Sequence, residues 1–481
     1  MRNKHQFARK TWVRFAKFEK MRCRIHKTHP LAPPARPFSV SSLTTPGHQR
    51  FSRAQQKPLL NWHLAASIKS VALPADPPLS KIAAELAGTP PLRDALQWFV
   101  RQKQWINEQH LQLCRVPAST FFEQRRAEWM LAQFRALGCV ARIDRGGNVI
   151  AHPQENRTGP YIALTAHLDT VLAPRKDEEV YTTPDGRLHG PGTADNGAGL
   201  AALLAIARVI TSFPDLSDDF RNLVFVANVG EEGEGNLSGM RYLCRQSSTG
   251  GRIQSFLILD GPNVDHVTSQ ALASRRFDVT ISGPGGHSWS DYGFANPIHA
   301  LARAIVSFSE QRLPSTGSPR SSYNFGIIEG GSSINSIPTL ARTKVDIRSE
   351  SPLKLDEIAA LLTSTVEQAL EAENERATGG KVTAKIKEIG SRPGGRLPDD
   401  AHILQAVRAV DSHLGIRSHL DCASTDANVP LSMGLPAISI GAGGHGGGAH
   451  TPQEWFHPDG RELGLKRILL MLFLLLRDLD G

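Results

Sequence analysis

His167 and Asp169 stand two residues apart, just after the apolar, β-prone run Tyr161 to Ala166. Glu231 and Glu232 follow a second such run in Val229-Gly-Glu-Glu-Gly233, and Asp260 follows a third in Leu257-Ile-Leu-Asp-Gly261. Asp195 lies among glycines in Gly190-Pro-Gly-Thr-Ala-Asp-Asn-Gly197, and His450 comes much later in Gly448-Ala-His-Thr-Pro452. Open parallel sheets deliver functional side chains at the carboxyl ends of their strands, so these loops can meet. Carboxylates gathered at buried strand ends are costly unless cations neutralise them. Oxygen and imidazole donors suit divalent ions, and zinc accepts both.

Two ions about 3.5–4 Å apart need one bridging carboxylate and terminal ligands on each. Asp195 is the best bridge, because the glycines around it allow backbone and ions to approach closely. His167 and Asp260 then complete one ion's set, and Glu232 and His450 complete the other's. Asp169 is placed to orient the His167 imidazole as a supporting carboxylate. Glu231 is left over as general base for a water that the ions activate toward an amide carbonyl.

Taken singly, each piece has a plainer reading. An isolated H-x-D is usually a surface or structural pair. Glu231-Glu232 with Glu234 reads as an acidic turn, and Gly441 to Gly448 lacks the ending of a phosphate loop. His189 and His445 are rival ligands. His450 is preferred because Pro452 and Glu454 would hold its loop, whereas glycines flank His445 on both sides.

The elements that must position these groups alternate. Helical spacing covers Arg93 to Cys114 and Ser119 to Leu137, and Cys139 to Ile143 with Asn148 to Ala151 reads as a hairpin. Strands Tyr161 to Ala166, Asn222 to Val229 and Phe256 to Leu259 surround a helix from Gly199 to Thr211, which argues an α/β sheet covered by helices. The pattern changes after Asp260. Strand Arg276 to Ser282, a helix from Asn296-Pro297 through Phe308, strands Ser321 to Ile328 and Ala341 to Ile347, helix Lys354 to Glu373 and strand Lys381 to Glu388 give a β-α-β-β-α-β order. This predicts a ferredoxin-like α+β domain over 272–388, inserted between catalytic parts at 78–271 and 389–481.

The chain has 481 residues, with 40% hydrophobic residues and a net charge of +9. That charge is uneven: residues 1–60 hold fourteen Lys or Arg against Glu19, so the remainder carries −4. Residues 1–77 read as a basic, Pro-rich, disordered extension without the apolar core of a secretory signal. Its composition also resembles an organellar transit segment, and would arise equally from a start misassigned ahead of Met21. Five scattered cysteines fit a reducing, cytoplasmic setting and no disulfide framework. The apolar stretch Ile468 to Leu476 is too short to span a bilayer and should pack as a terminal helix.

The whole set from Pro78 to Asp480 resembles the co-catalytic zinc exopeptidase family of aminoacylase, glutamate carboxypeptidase, peptidase T and succinyl-diaminopimelate desuccinylase. The resemblance rests on His167-Leu-Asp169, Gly192-Thr-Ala-Asp195-Asn-Gly-Ala-Gly199, Gly230-Glu-Glu-Gly233, Asp260 and His450-Thr-Pro452. It implies a mixed-sheet catalytic domain with an inserted lid that dimerises, and two divalent ions per chain, zinc first with cobalt or manganese as alternatives. It implies the same metal ligands (His167, Asp195, Glu232, Asp260, His450), Asp169 in support and Glu231 as base. Ser282-Gly-Pro-Gly-Gly-His-Ser288 is similar to the lid turn whose histidine reaches a neighbouring subunit's site, which assigns His287. Ile334-Asn-Ser-Ile-Pro338 is similar to a substrate-contacting stretch, which assigns Asn335, and Arg392 stands where relatives place an arginine that grips a substrate carboxylate. Two departures are Asn196, where many relatives have a second acid, and the bulk of Trp289 after His287.

The expected activity is exopeptidase cleavage of small peptides, as a di- or tripeptidase or aminopeptidase, with N-acyl-amino-acid deacylation as the alternative. A nucleic-acid-binding protein on a vestigial enzyme fold is the third reading, suggested by the basic extension. It is disfavoured because every catalytic piece is present and the positive charge is confined to that extension, so no specific nucleic-acid partner is expected.

Overall fold

The structure, a computed structural model, describes residues 79–481 apart from 155–158, 246–251, 312, 314–318, 478 and 480–481. The basic extension expected over 1–77 therefore lies outside the described residues. Among the described residues no helix is long and apolar enough to cross a membrane.

Two sheets with opposite burial patterns organise the fold. The larger, nine-stranded among the described residues, carries the site. Its centre is parallel: Leu223–Asn228, Tyr161–His167, Ile253–Leu259 and Ala437–Ile440 lie side by side in that order. The hairpin Val140–Ile143 and Val149–His152 adds antiparallel strands at one edge. At the other edge His266–Ala271 runs antiparallel to Ala437–Ile440 and pairs with His419–Ala423 and Gly395–Arg396. The sheet is therefore mixed. Tyr161–His167 and Leu223–Asn228 are buried at every position, as expected for strands covered on both faces. The Ala/Leu-rich helix Gly197–Ser212 and the terminal helix Arg461–Arg477 join the same core. Within the latter, Arg467 is fully buried and makes a bidentate pair with Asp411 at 2.6 Å on both arms, which satisfies the charge there.

The second sheet is antiparallel, ordered Ser321–Gly330, Leu340–Ser349, Ala273–Ser282, Thr383–Arg392. Leu340–Ser349 alternates buried and less buried positions, the period-2 signature of a sheet covered on one face. Helices Pro297–Glu310 and Pro352–Arg376 pack on it around Phe277, Val279, Phe308, Val345, Ile358 and Leu362. This is the ferredoxin-like order read from the sequence. Its last strand continues past residue 388 to Arg392, because the sheet pairing with Ala273–Ser282 persists through a bulge at Glu388/Gly390.

Two local expectations need correction. The stretch Arg93 to Cys114 is two helices, Pro90–Arg101 and Lys103–Arg115, broken at Gln102 (φ −106°, ψ 25°). The helix expected from Ser119 starts only at Gln124. Residues 119–123 instead turn through Phe121 at φ 74°, with Ser119 bridging Thr170 beside the site. Periodicity alone could not see that this turn is tied to a distant loop.

Candidate active site

Three neighbouring parallel strands end at the site. Tyr161–His167 delivers His167 and Asp169, Leu223–Asn228 delivers Glu231 and Glu232 after Val229-Gly230, and Ile253–Leu259 delivers Asp260. The loop before helix Gly197–Ser212 brings Asp195, and the loop before Trp455–His457 brings His450.

These residues converge. The His167 Nε2 lies 3.1 Å from Asp195 Oδ1 and 3.8 Å from Asp260 Oδ1. The His450 Nε2 lies 3.1 Å from Asp195 Oδ2 and 2.8 Å from Glu232 Oε1. Asp195 thus faces both histidines, one through each carboxylate oxygen. Donor atoms of His167, Asp195 and Asp260 lie within 4.8 Å of one another, as do those of Asp195, Glu232 and His450 and those of His167, Glu231 and Glu232. His189 and His445 enter none of these groups among the described residues. His189 stacks on Tyr181, and His445 sits in a short ladder opposite His457.

The field at this point asks for positive charge. Burial pushes the His167 imidazole down, but the carboxylates of Asp169, Asp195 and Asp260 around it outweigh that and hold the ring well above its ordinary range. His450 is raised to about 9, first by its bond to Asp195, against the opposing effect of burial. Burial raises Glu232 and lifts Glu231 well above the usual carboxylate range, the latter only partly opposed by Arg392. A cluster that draws protons onto two imidazoles would draw divalent cations by the same attraction. Oxygen and imidazole donors in two groups sharing Asp195 fit a pair of such ions.

Asp169 lies against the His167 ring and holds the neighbouring backbone as well. The Nδ1 of His167 donates to the backbone carbonyl of Asp169 at 3.0 Å, while the Asp169 carboxylate stands 3.5 Å away. That buried carboxylate also accepts the N–H groups of Glu231 (2.9 Å) and Glu232 (2.8 Å) and the Thr120 hydroxyl (3.0 Å). It therefore anchors the turn that presents both glutamates. Glu123 supports the same turn by accepting the N–H groups of Gly230 and Phe121. Gly230 has φ 65°, and a Cβ there would stand 2.1 Å from the Ser238 Oγ, so glycine is required.

Asn196, the departure noted above, is fully buried and bonded to backbone throughout. Its amide donates to the Leu259 carbonyl (2.8 Å) and accepts the N–H groups of Gly261 (3.2 Å) and Gly199 (3.1 Å). It ties the Asp195 loop to the Asp260 loop and caps the following helix, a task for which an ionised acid has no donor.

Arg392 is 6% exposed. Its Nη1 donates to Glu231 Oε1 at 2.8 Å and to Ser424 Oγ at 3.0 Å, and its Nη2 donates to the Glu231 carbonyl. The guanidinium expected to grip a substrate carboxylate is here engaged with the candidate base.

His287 and Asn335 sit together in the inserted domain. Gly286–His287 pairs with Ser336–Ile337, and the Ser288 N–H donates to the Asn335 carbonyl at 3.0 Å. The Nδ1 of His287 accepts the Trp289 N–H at 3.2 Å, and Nε2 makes no hydrogen bond among the described residues. Around them Trp289 and Tyr292 are each 86% exposed and Ile334 is 102% exposed. None of the hydrogen bonds of His287 and Asn335, among the described residues, reaches the cluster of His167, Asp195, Glu232, Asp260 and His450 in the same chain.

Three residues in the site region carried no individual signal in the sequence. Asn228 and Asp426 form a fully buried pair at 2.7 Å behind His167, and burial pushes Asp426 up to about 7. His110 lies buried behind the Asp195 loop with Nε2 2.8 Å from the Thr193 carbonyl. His110 sits among Asn107, Glu108, Gln109 and Gln112 on its helix, so nothing local set it apart from an ordinary polar position.

Residues 163–472 match the model of peptidase family M20/M25/M40. A succinyl-diaminopimelate desuccinylase of Bradyrhizobium sp. is 25% identical over 301 residues, covering 59% of this chain and 75% of that protein. A tripeptidase from Staphylococcus aureus superposes with a TM-score of 0.65 at 21% identity, covering 78% of this chain and 99% of that one. A Bacillus subtilis protein described as a dinuclear metal-binding peptidase superposes with a TM-score of 0.57 at 14% identity, covering 78% and 98%. The match over so much of the chain, at the segments that build the cluster, settles its kinship: the chain belongs to peptidase family M20/M25/M40 and is a hydrolase of the metallopeptidase kind.

Proposed function

We propose that this chain cleaves small peptides as a metal-dependent exopeptidase. The observation that carries the reading is the buried Glu231 carboxylate beside two donor groups that share Asp195. His167, Asp195 and Asp260 would hold one divalent ion, and Asp195, Glu232 and His450 the other, with zinc as the expected metal and cobalt or manganese as alternatives. Such ions lower the pKa of water and polarise the scissile carbonyl. Glu231 takes the proton from the attacking water and returns it to the departing amine nitrogen. Asp169 fixes the direction of Glu231 by holding its backbone N–H. Arg392 keeps the Glu231 carboxylate oriented through both Nη groups, so gripping a substrate carboxylate with that fork would require it to leave this partner.

The lid supplies what the cluster lacks. His287 and Asn335 are exposed on their own chain, and a second copy docked through the inserted domains would bring them over the ions. His287 then donates to the oxyanion that forms on the scissile carbonyl.

Deacylation of an N-acyl amino acid is the second reading, favoured by the desuccinylase relative at 25% identity. Both reactions break an amide bond and differ in whether the pocket receives a free amine or an acyl group. The test strips the protein with chelator, reloads it with zinc, cobalt or manganese, and assays a dipeptide, a tripeptide and an N-acetyl amino acid. Faster cleavage of the peptides supports the first reading, and exclusive cleavage of the N-acetyl compound replaces it with the second. No amide cleavage with any metal overturns both.

A further inference from the structure

Glu454 is a buried carboxylate that the reaction does not use. It is 3% exposed, and among the described residues it makes no ion pair with a Lys, Arg or His side chain. Three backbone N–H groups of the Asp195 loop converge on it instead. Oε1 accepts from Ala194 and Asp195, both at 2.8 Å, and Oε2 accepts from Gly192 at 2.7 Å. The Glu454 carbonyl accepts a fourth, from Gly190 at 3.0 Å. Immediately beyond, Trp455 pairs with His189 and Phe456 with Leu188. Two chain segments therefore leave one short ladder at the same point, one leading forward to Asp195 and the other back to His450, four residues before Glu454.

The carbonyl side of the same loop is equally committed. Gly192 accepts from the Gly197 N–H (2.9 Å) and the Cys114 thiol (3.4 Å). Arg461 donates to His110 Nδ1 at 2.6 Å, so the proton of the neutral ring sits on Nε2 and is donated to the Thr193 carbonyl. Backbone groups held on both sides leave the loop little freedom to shift.

We propose that Glu454 is a positioning residue for metal binding: it sets the separation of Asp195 from His450 and thereby the affinity of the ion held by Asp195, Glu232 and His450. The inference rests on the two-ion reading above. The other ion should feel Glu454 less, because His167 and Asp260 are fixed by their own strands and by Asn196. Glu454→Gln keeps the shape but replaces one acceptor oxygen with an NH2, which meets N–H groups that need an acceptor.

The test is metal titration of chelator-stripped full-length protein by calorimetry, with elemental analysis after dialysis. Wild type should bind two zinc ions. Glu454→Gln should weaken one of them by about 10–100-fold, the range for a lost outer-layer partner, and weaken the other, which shares Asp195, distinctly less. Its binding profile should match that of His450→Ala and differ from that of Asp260→Asn. Melting of the stripped proteins shows whether the variant is folded, and Glu454→Asp, too short to reach all three N–H groups, serves if it is not. A folded variant that binds both ions as wild type does, or loses both equally, overturns the assignment. A wild-type chain that binds one ion overturns the two-ion reading and the assignment with it.

Discussion

The cluster around Asp195 and the His287 turn are built on opposite terms. In the cluster nearly every polar group has a partner from its own chain: Asp169 holds the glutamate turn, Asn196 joins two loops, and Glu454 collects three N–H groups. On the lid, His287 and Asn335 stand on an exposed turn among Trp289, Tyr292 and Ile334. Buried carboxylates must be satisfied where they are, since each uncompensated one costs several kcal/mol. An exposed histidine on a short ladder carries no such cost and can wait for another surface. The difference teaches that the cluster is held in place by bonds within the chain, whereas the lid turn leaves His287 and Asn335 exposed, as the proposed second copy would require.

The strongest way to break this contrast is at Glu231. If the cluster is complete within the chain, Glu231→Gln should keep full metal occupancy while turnover falls by roughly two to four powers of ten. Glu232→Gln should instead weaken metal binding, since Glu232 Oε1 lies 2.8 Å from His450. Turnover and elemental analysis on both variants check the assignment, and reversed behaviour would exchange the roles of the pair.

The next effect is at His287. Loss of an oxyanion donor removes roughly 3–4 kcal/mol of transition-state stabilisation, so His287→Ala should keep its metal and lose most of its turnover. Mixing it with Glu231→Gln chains sharpens the comparison. If the lid serves a second copy, each hybrid dimer has one site with both defects and one with neither, and activity returns. No recovery despite demonstrated subunit exchange means that His287 acts within its own chain or not at all.

The smallest effect should come from Arg392→Lys. Lysine keeps the charge but loses the fork that serves Glu231 and Ser424. If Arg392 only orients Glu231, kcat should fall roughly tenfold with KM unchanged, the scale of weakening a hydrogen bond to a charged group. A rise in KM confined to substrates bearing a free carboxylate would mean that the guanidinium leaves Glu231 to grip them.

The sequence by itself determined the order of chemistry along the chain. Apolar runs ending in His167, Glu231 and Asp260 mark buried parallel strands whose ends converge, because strand burial is written in local residue type. The period-2 and helical stretches between Arg276 and Glu388 likewise spell out the inserted fold, since pattern and element type share a period. Only the tertiary structure decided which partners each group keeps. Gln102 breaks a periodic helix, and residues 119–123 abandon helical geometry to bring Thr120 onto Asp169. Arg392 turns inward to Glu231, Asp169 serves the glutamate turn as well as the imidazole, and Glu454 reaches back more than 250 residues to the Asp195 loop. Such bonds join residues far apart in the chain, and a buried polar group takes whichever partner the packed fold places within about 3 Å. No local pattern encodes that choice.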